Sequence, residues 1–134
     1  MKIIIPMAGK GVRFSIENFY RPKPLIELNG KPVIEYVVNI FSREWEFIFI
    51  CNKKHLQTTN MEKVLKTLVP NCKIIGVDDS KAEIPGPVNT ASFAFDFIDD
   101  NEEVIVSYCD HDVVWDFQHF IRYVRTNDCD GAIP

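Results

Sequence analysis

A chain of 134 residues has the length of one domain. Its 46% hydrophobic and 25% charged residues are ordinary for a globular chain with a real core. The formal charge of −4 argues against a nucleic-acid surface, which is normally basic, and no stretch has the apolar length of a membrane span or the pattern of a signal peptide.

The first predicted element is a strand over Lys2–Pro6, where Ile3, Ile4 and Ile5 suit burial on both faces. It runs into a loop whose Gly9 and Gly11 let the backbone turn sharply and bring its N–H groups close to a ligand. Arg13 can fork two hydrogen bonds onto phosphate oxygens, and Lys23 supplies a point charge stiffened by Pro22 and Pro24. Two familiar phosphate loops do not fit. A dinucleotide-binding loop needs a third glycine where Phe14 stands, and a P-loop needs Ser or Thr after its lysine, whereas Lys10 is followed by Gly11. With the overall charge negative, an anionic ligand needs a local basic patch, and Lys10, Arg13, Arg21, Lys23 and Lys31 supply one.

Leu25 to Gly30 reads as a small hairpin turn before the first long helix. Four apolar quartets follow helical spacing: Val33, Tyr36, Val37, Ile40; Met61, Val64, Leu65, Leu68; Ala91, Ala94, Phe95, Ile98; and Phe117, Phe120, Ile121, Val124. These stripes predict core. Further strands are expected at Phe47–Cys51, Lys73–Val77 and Val104–Tyr108, with a last one starting near Gly131. The alternation predicts an α/β domain, with a Rossmann-like, mostly parallel sheet covered by helices on both faces.

Gly86-Pro87-Val88-Asn89-Thr90 precedes a helix, and Asn89 or Thr90 can serve as its N-cap; a helix start also favours an anion or acceptor atom. Asp110 and Asp112 follow the strand at Val104 and are in phase if that strand continues. Two carboxylates at the carboxyl end of a strand beside a phosphate loop form a natural Mg²⁺ site. A turn with capping acids is the simpler alternative, above all for Asp112. Cys51, Cys72, Cys109 and Cys129 have no Cys-x-x-Cys spacing and read as reduced thiols of a cytoplasmic protein. His55, His111 and His119 have no metal spacing; His55 and His119 read as surface residues, and His111 as touching phosphate or solvent. Trp45 and Trp115 read as packing residues.

The opening segments resemble the amino-terminal signature of sugar-phosphate nucleotidylyltransferases, the NTP-transferase family. The match runs through Ala8, Gly9, Gly11, Arg13, Pro22, Lys23, Pro24, Leu25, Gly30, Lys31 and Pro32. It looks most like the branch found with bacterial capsule and surface-polysaccharide genes. The resemblance implies a fold of the nucleotide-diphospho-sugar transferase type and the transfer of a nucleotidyl group from a nucleoside triphosphate to a phosphorylated small molecule, with Mg²⁺ as cofactor. It implies that Ala8, Gly9 and Gly11 cradle the triphosphate, Arg13 holds the departing pyrophosphate, Lys23 bridges the reacting phosphates and Asp110 binds metal. It further implies that Gly86, Asn89 and Thr90 line the base pocket, with Glu83 as a reader of the base. A capped helix alone would account for the same residues.

Relatives in this family are considerably longer. The expectation is that residues 1–134 form the nucleotide-binding portion of a longer domain, with acceptor contacts and a second metal ligand further on. CTP is slightly favoured as the triphosphate, over UTP, GTP and dTTP; a sugar 1-phosphate is the default acceptor, with a phosphorylated amine or amide as the alternative. Nucleic acid and membrane are not expected partners, and homo-oligomer formation stays open. Two other readings compete: a glycosyltransferase using Asp110-x-Asp112 to hold a nucleotide-sugar, and a non-catalytic nucleotide-sensing module.

Overall fold

The computed structural model describes residues 1–9, 21–78, 86–111, 113–114 and 116–133. Four parallel strands form one sheet: β1 (Lys2–Met7), β4 (Glu46–Asn52), β5 (Lys73–Val77) and β6 (Val104–Val106), in the order β5-β4-β1-β6. A two-stranded antiparallel hairpin, β2 (Glu27–Leu28) and β3 (Lys31–Pro32), stands apart. Its turn residues Asn29 (φ 50°) and Gly30 (φ 77°) are both left-handed, the geometry of a two-residue hairpin loop. Among the described residues there are five α-helices: α1 (Val33–Asn39), α2 (Lys53–Thr58), α3 (Met61–Leu68), α4 (Pro87–Ser92) and α5 (Phe117–Thr126).

The core lies on both faces of the sheet. On β1 and β4, Ile3, Ile5, Met7, Phe47, Phe49 and Cys51 face one way and meet Ile34, Val37 and Val38 of α1, Met61 and Leu65 of α3, and Phe117 and Ile121 of α5. The alternate residues Ile4, Ile48 and Ile50 face the other way and meet Ala91 and Ala94. Strands buried on both sides need continuous apolar runs, and β1 and β4 have them. Phe117 fills the space between Phe41 and Trp45, with ring centroids 5.3 Å from each. Trp45 is therefore a packing residue, as expected, whereas Trp115 lies outside the described residues. No described helix is long and apolar enough to cross a membrane.

Several elements differ from the sequence reading. The buried stripe of α1 is Ile34, Val37 and Val38, continued by Phe41, not Val33, Tyr36, Val37 and Ile40. Tyr36 instead donates its hydroxyl to the Leu28 carbonyl in the hairpin at 2.8 Å. The Ala91–Ile98 stripe is not one helix: α4 ends at Ser92 and a 3-10 turn covers Phe95–Phe97, with Phe95 exposed. Helix α2 was not foreseen, because Leu56 is the one large apolar residue in its span. Strand β6 ends at Val106, not Tyr108, and residues 129–133 form no strand.

Candidate functional site

Strand order decides where a ligand fits. From β1 the sheet grows outward through β4 to β5, and then β6 joins the opposite side of β1. The order reverses between β1 and β6, and open parallel sheets bind ligands at such a reversal, outside the carboxyl ends of the strands. The segment leaving β1 there is Ala8-Gly9, and the segment leaving β6 carries Asp110.

Lys23 reaches this place from a rigid support. Residues Lys23–Leu25 form a 3-10 turn in which the Leu25 N–H donates to the Pro22 carbonyl at 2.8 Å and the Ile26 N–H to the Lys23 carbonyl at 3.2 Å. Pro22, Pro24 and Leu25 are buried, and Leu25 belongs to the larger core. The prolines fix φ on either side of the lysine, so its side chain leaves an anchored backbone. The Lys23 ammonium pairs with the Asp110 carboxylate, the lysine side chain being 40% exposed and the aspartate 19%. Two residues far apart in sequence thus meet at the reversal point, still open to solvent.

Around this pair the surroundings are mixed. The Cys109 thiol is pushed up to about 11 by burial first and by the adjacent Asp110 carboxylate second, with Lys23 opposing, so it stays neutral near pH 7. Burial likewise pushes Cys51 up to about 12 and raises Cys72. All four cysteines are free thiols, and these three are shielded or neutral rather than reactive. Tyr108 and His111 flank Asp110, both exposed, with rings 4.9 Å apart. His119 is exposed and His55 half-buried.

The expected glycine chemistry is partly different. Gly9 does not take a left-handed φ, so a positive φ is not its reason for being glycine; among the described residues a Cβ there would meet no atom within 4 Å. That openness allows close approach of a ligand to the backbone. Ala8 is buried in the same cluster as Ala91 and Ala94, which brings α4 against the start of the loop. At α4 the N-cap position is Gly86 (φ 150°), not Asn89 or Thr90. Thr90 lies within the helix and donates both its N–H (3.0 Å) and its hydroxyl (2.9 Å) to the Gly86 carbonyl, while the Asn89 carbonyl accepts from the Ser92 hydroxyl at 2.8 Å. Neither Asn89 nor Thr90 therefore caps this helix.

The in-phase argument for Asp110 and Asp112 also fails, because β6 stops four residues before Asp110, which sits in a bend. Asp112, Gly11, Arg13, Glu83 and Lys10 lie outside the described residues. Among the described residues no three His, Cys, Asp or Glu side chains gather into a metal cluster. The described cations of the predicted basic patch each have an acid partner: Arg21 with Glu27 (2.6 Å), Lys31 with Glu35 (2.9 Å) and Lys23 with Asp110. Their charge is locally balanced rather than a bare positive field.

Sequence reasoning missed Asn52. It is buried at the end of β4, donates from Nδ2 to the Ala8 carbonyl at 3.2 Å and accepts the Lys54 N–H on Oδ1 at 2.9 Å. The available signal was an amide directly after five apolar strand residues, where a buried polar group needs partners.

The fold and its loops define a parallel α/β domain with charged and backbone ligand groups gathered at its strand-order reversal. The chain belongs to the MobA-like NTP transferase domain family, whose model matches residues 3–134. It is 36% identical over 56 residues to a glucose-1-phosphate cytidylyltransferase of Salmonella typhimurium, covering 40% of this chain and 22% of that protein. It is 28% identical over 125 residues to the bifunctional protein GlmU of Methanocaldococcus jannaschii, covering 92% of this chain and 28% of that one. Among solved structures, a nucleoside-diphosphate-sugar pyrophosphorylase from Vibrio cholerae superposes with a TM-score of 0.63 at 23% identity, over 87% of this chain and 52% of that chain. A UDP-glucose pyrophosphorylase complexed with UDP-glucose gives 0.64 at 21% identity, over 96% and 54%. The chain thus spans about a quarter of these relatives and about half of these structures, and the structural likeness shows the fold.

Proposed function

We propose that the protein acts as a nucleotidylyltransferase, joining a nucleoside triphosphate to a phosphorylated small molecule with release of pyrophosphate. The observation that carries this reading is the meeting of Lys23 and Asp110 at the strand-order reversal, beside the Ala8-Gly9 backbone. In the reaction, an acceptor phosphate oxygen attacks the α-phosphorus and pyrophosphate leaves. The attacking oxygen is already anionic, so no Ser, Cys or His nucleophile is needed, in keeping with the neutral Cys109. What remains is positioning and charge neutralisation.

Lys23, on its anchored turn, holds the α-phosphate and the acceptor phosphate together. Gly9 and Gly11 offer backbone N–H groups to the triphosphate, and Arg13 takes the pyrophosphate portion. Asp110 is a partly exposed hard-oxygen donor, which fits Mg²⁺, an ion held by one or two carboxylates, water and substrate phosphates. Asp110, with Asp112 as second donor, would hold it, and the ion would supply neutralisation of the charge developing on the phosphates. Gly86, Asn89, Thr90 and Glu83 form the base side of the site.

CTP is the favoured triphosphate, supported by the glucose-1-phosphate cytidylyltransferase relative. A sugar 1-phosphate is the favoured acceptor, with surface-polysaccharide precursors as product and the cytoplasm as setting. The test is pyrophosphate release with Mg²⁺, using CTP, UTP, GTP, ATP and dTTP against phosphorylated acceptors. Release with one pair supports the reading and names both substrates. Free nucleoside diphosphate formed from a nucleotide-sugar would replace it with glycosyl transfer.

A further inference from the structure

Asn52 is the one buried polar residue among those described, and one of its two hydrogen bonds is explained locally. Its Oδ1 accepts the Lys54 N–H and caps α2, a duty that Asp or Ser performs as well. The other bond crosses between elements. The β1–β4 ladder closes at the Met7–Cys51 rung, and one residue further on the Asn52 side chain continues it by donating to the Ala8 carbonyl. The amide orientation follows from chemistry, since a backbone N–H only donates and a carbonyl only accepts.

The Ala8 carbonyl belongs to the peptide unit that also holds the Gly9 N–H. That unit is planar and trans, so its C=O and N–H point in opposite directions. Gripping the carbonyl from β4 therefore aims the Gly9 N–H away from β4. Gly9 is exposed, and among the described residues no atom approaches its Cβ position within 4 Å. We propose that Asn52 is a positioning residue that orients the Gly9 N–H toward the triphosphate. The proposal rests on the triphosphate reading above and adds the group that sets the geometry of its loop.

Asn52→Asp keeps the acceptor that caps α2 but, when ionised, has no hydrogen to give the Ala8 carbonyl. Asn52→Ser is neutral, also caps, and is too short to reach that carbonyl. Calorimetric binding of CTP with Mg²⁺ (UTP, GTP, ATP and dTTP in parallel) is measured on the wild-type protein first, then on both variants, alongside thermal unfolding. The expected result is a triphosphate Kd raised about tenfold, the loss of roughly one hydrogen bond, while thermal unfolding shows each variant fully folded at the binding temperature. Should Asn52→Asp fail to fold, Asn52→Ser carries the test. A folded variant that binds within about twofold of wild type overturns the proposal, as does a loss of binding that only follows the unfolded fraction. Wild type that binds none of the five triphosphates overturns the nucleotidyl-transfer reading, and this proposal with it, before any variant is made.

Discussion

Removing the charge of Lys23 separates a catalytic pair from a structural one. Lys23 and Asp110 are joined across the fold, yet the lysine side chain is 40% exposed and the aspartate 19%. A pair this open contributes at most about 1 kcal/mol, because water screens it and two side chains must be held still. Lys23→Met keeps the apolar stem and removes the ammonium. For a domain of this size, about 1 kcal/mol corresponds to a Tm shift of roughly 3–5 °C. Loss of one preorganised group that stabilises charge in a transition state costs about 100- to 1,000-fold in kcat, or roughly 3–4 kcal/mol. The two scales are well apart. Pyrophosphate release and urea unfolding, measured on the same Lys23→Met protein, should give a large kinetic loss with a small stability loss. A kcat/KM within about fivefold of wild type refutes the catalytic role. A stability loss above about 3 kcal/mol with a proportionate fall in activity makes the pair structural.

Three further outcomes follow from local geometry. Gly9→Ala should fold normally, since among the described residues its Cβ would meet no atom within 4 Å and its φ is not left-handed, yet it should weaken triphosphate binding about tenfold by calorimetry; unchanged binding removes Gly9 from the site. Phe117→Ala should cost about 3–5 kcal/mol in urea unfolding, because the ring is buried between Phe41 and Trp45; a cost below about 1 kcal/mol means that the aromatic cluster collapses to fill the gap. The Lys2 ammonium, 2.5 Å from Glu102, holds that carboxyl below the ordinary glutamate range through its hydrogen bond. A depressed folded-state value contributes stability above the unfolded value of about 4.3, and that contribution is lost as pH falls through the folded value. Glu102→Gln should therefore flatten the fall of Tm below about pH 4.3, and identical slopes in both proteins would exclude this carboxyl as a source of acid sensitivity.

The strands were legible because burial on both faces demands long apolar runs, and Ile3–Ile5 and Phe47–Cys51 are such runs. The hairpin was legible because Asn29-Gly30 accepts two left-handed residues in succession. The face of α1 was not. Both Val33, Tyr36, Val37, Ile40 and Ile34, Val37, Val38, Phe41 satisfy helical spacing; tertiary packing separates them, with the second set in the sheet core and the Tyr36 hydroxyl on the hairpin. Helix α2 carries one apolar side chain of size, so periodicity had nothing to detect; its start is set by the Asn52 cap. The Ala91–Ile98 stripe was broken after Ser92, where the chain tightens into a 3-10 turn and leaves Phe95 exposed, a break that apolar spacing does not signal.

The site divides along the same line. Lys23 and Asp110 announce themselves because a lysine between prolines and an aspartate after a strand are unusual local chemistry. Asn52 does not, because its partner Ala8 is near only after β1 and β4 have paired. That pairing also explains how a solvent-open site is held to a fixed geometry. Its exposed groups cannot fix one another, since exposed contacts are weak. Each is carried instead by a neighbour in the core: Lys23 by Leu25, Gly9 by Ala8 and the Asn52 amide, and the Gly86 turn by Ala91. Polar function at the surface then depends on apolar packing one or a few residues away. Core substitutions at Leu25 or Ala91 should accordingly disturb binding before they unfold the domain.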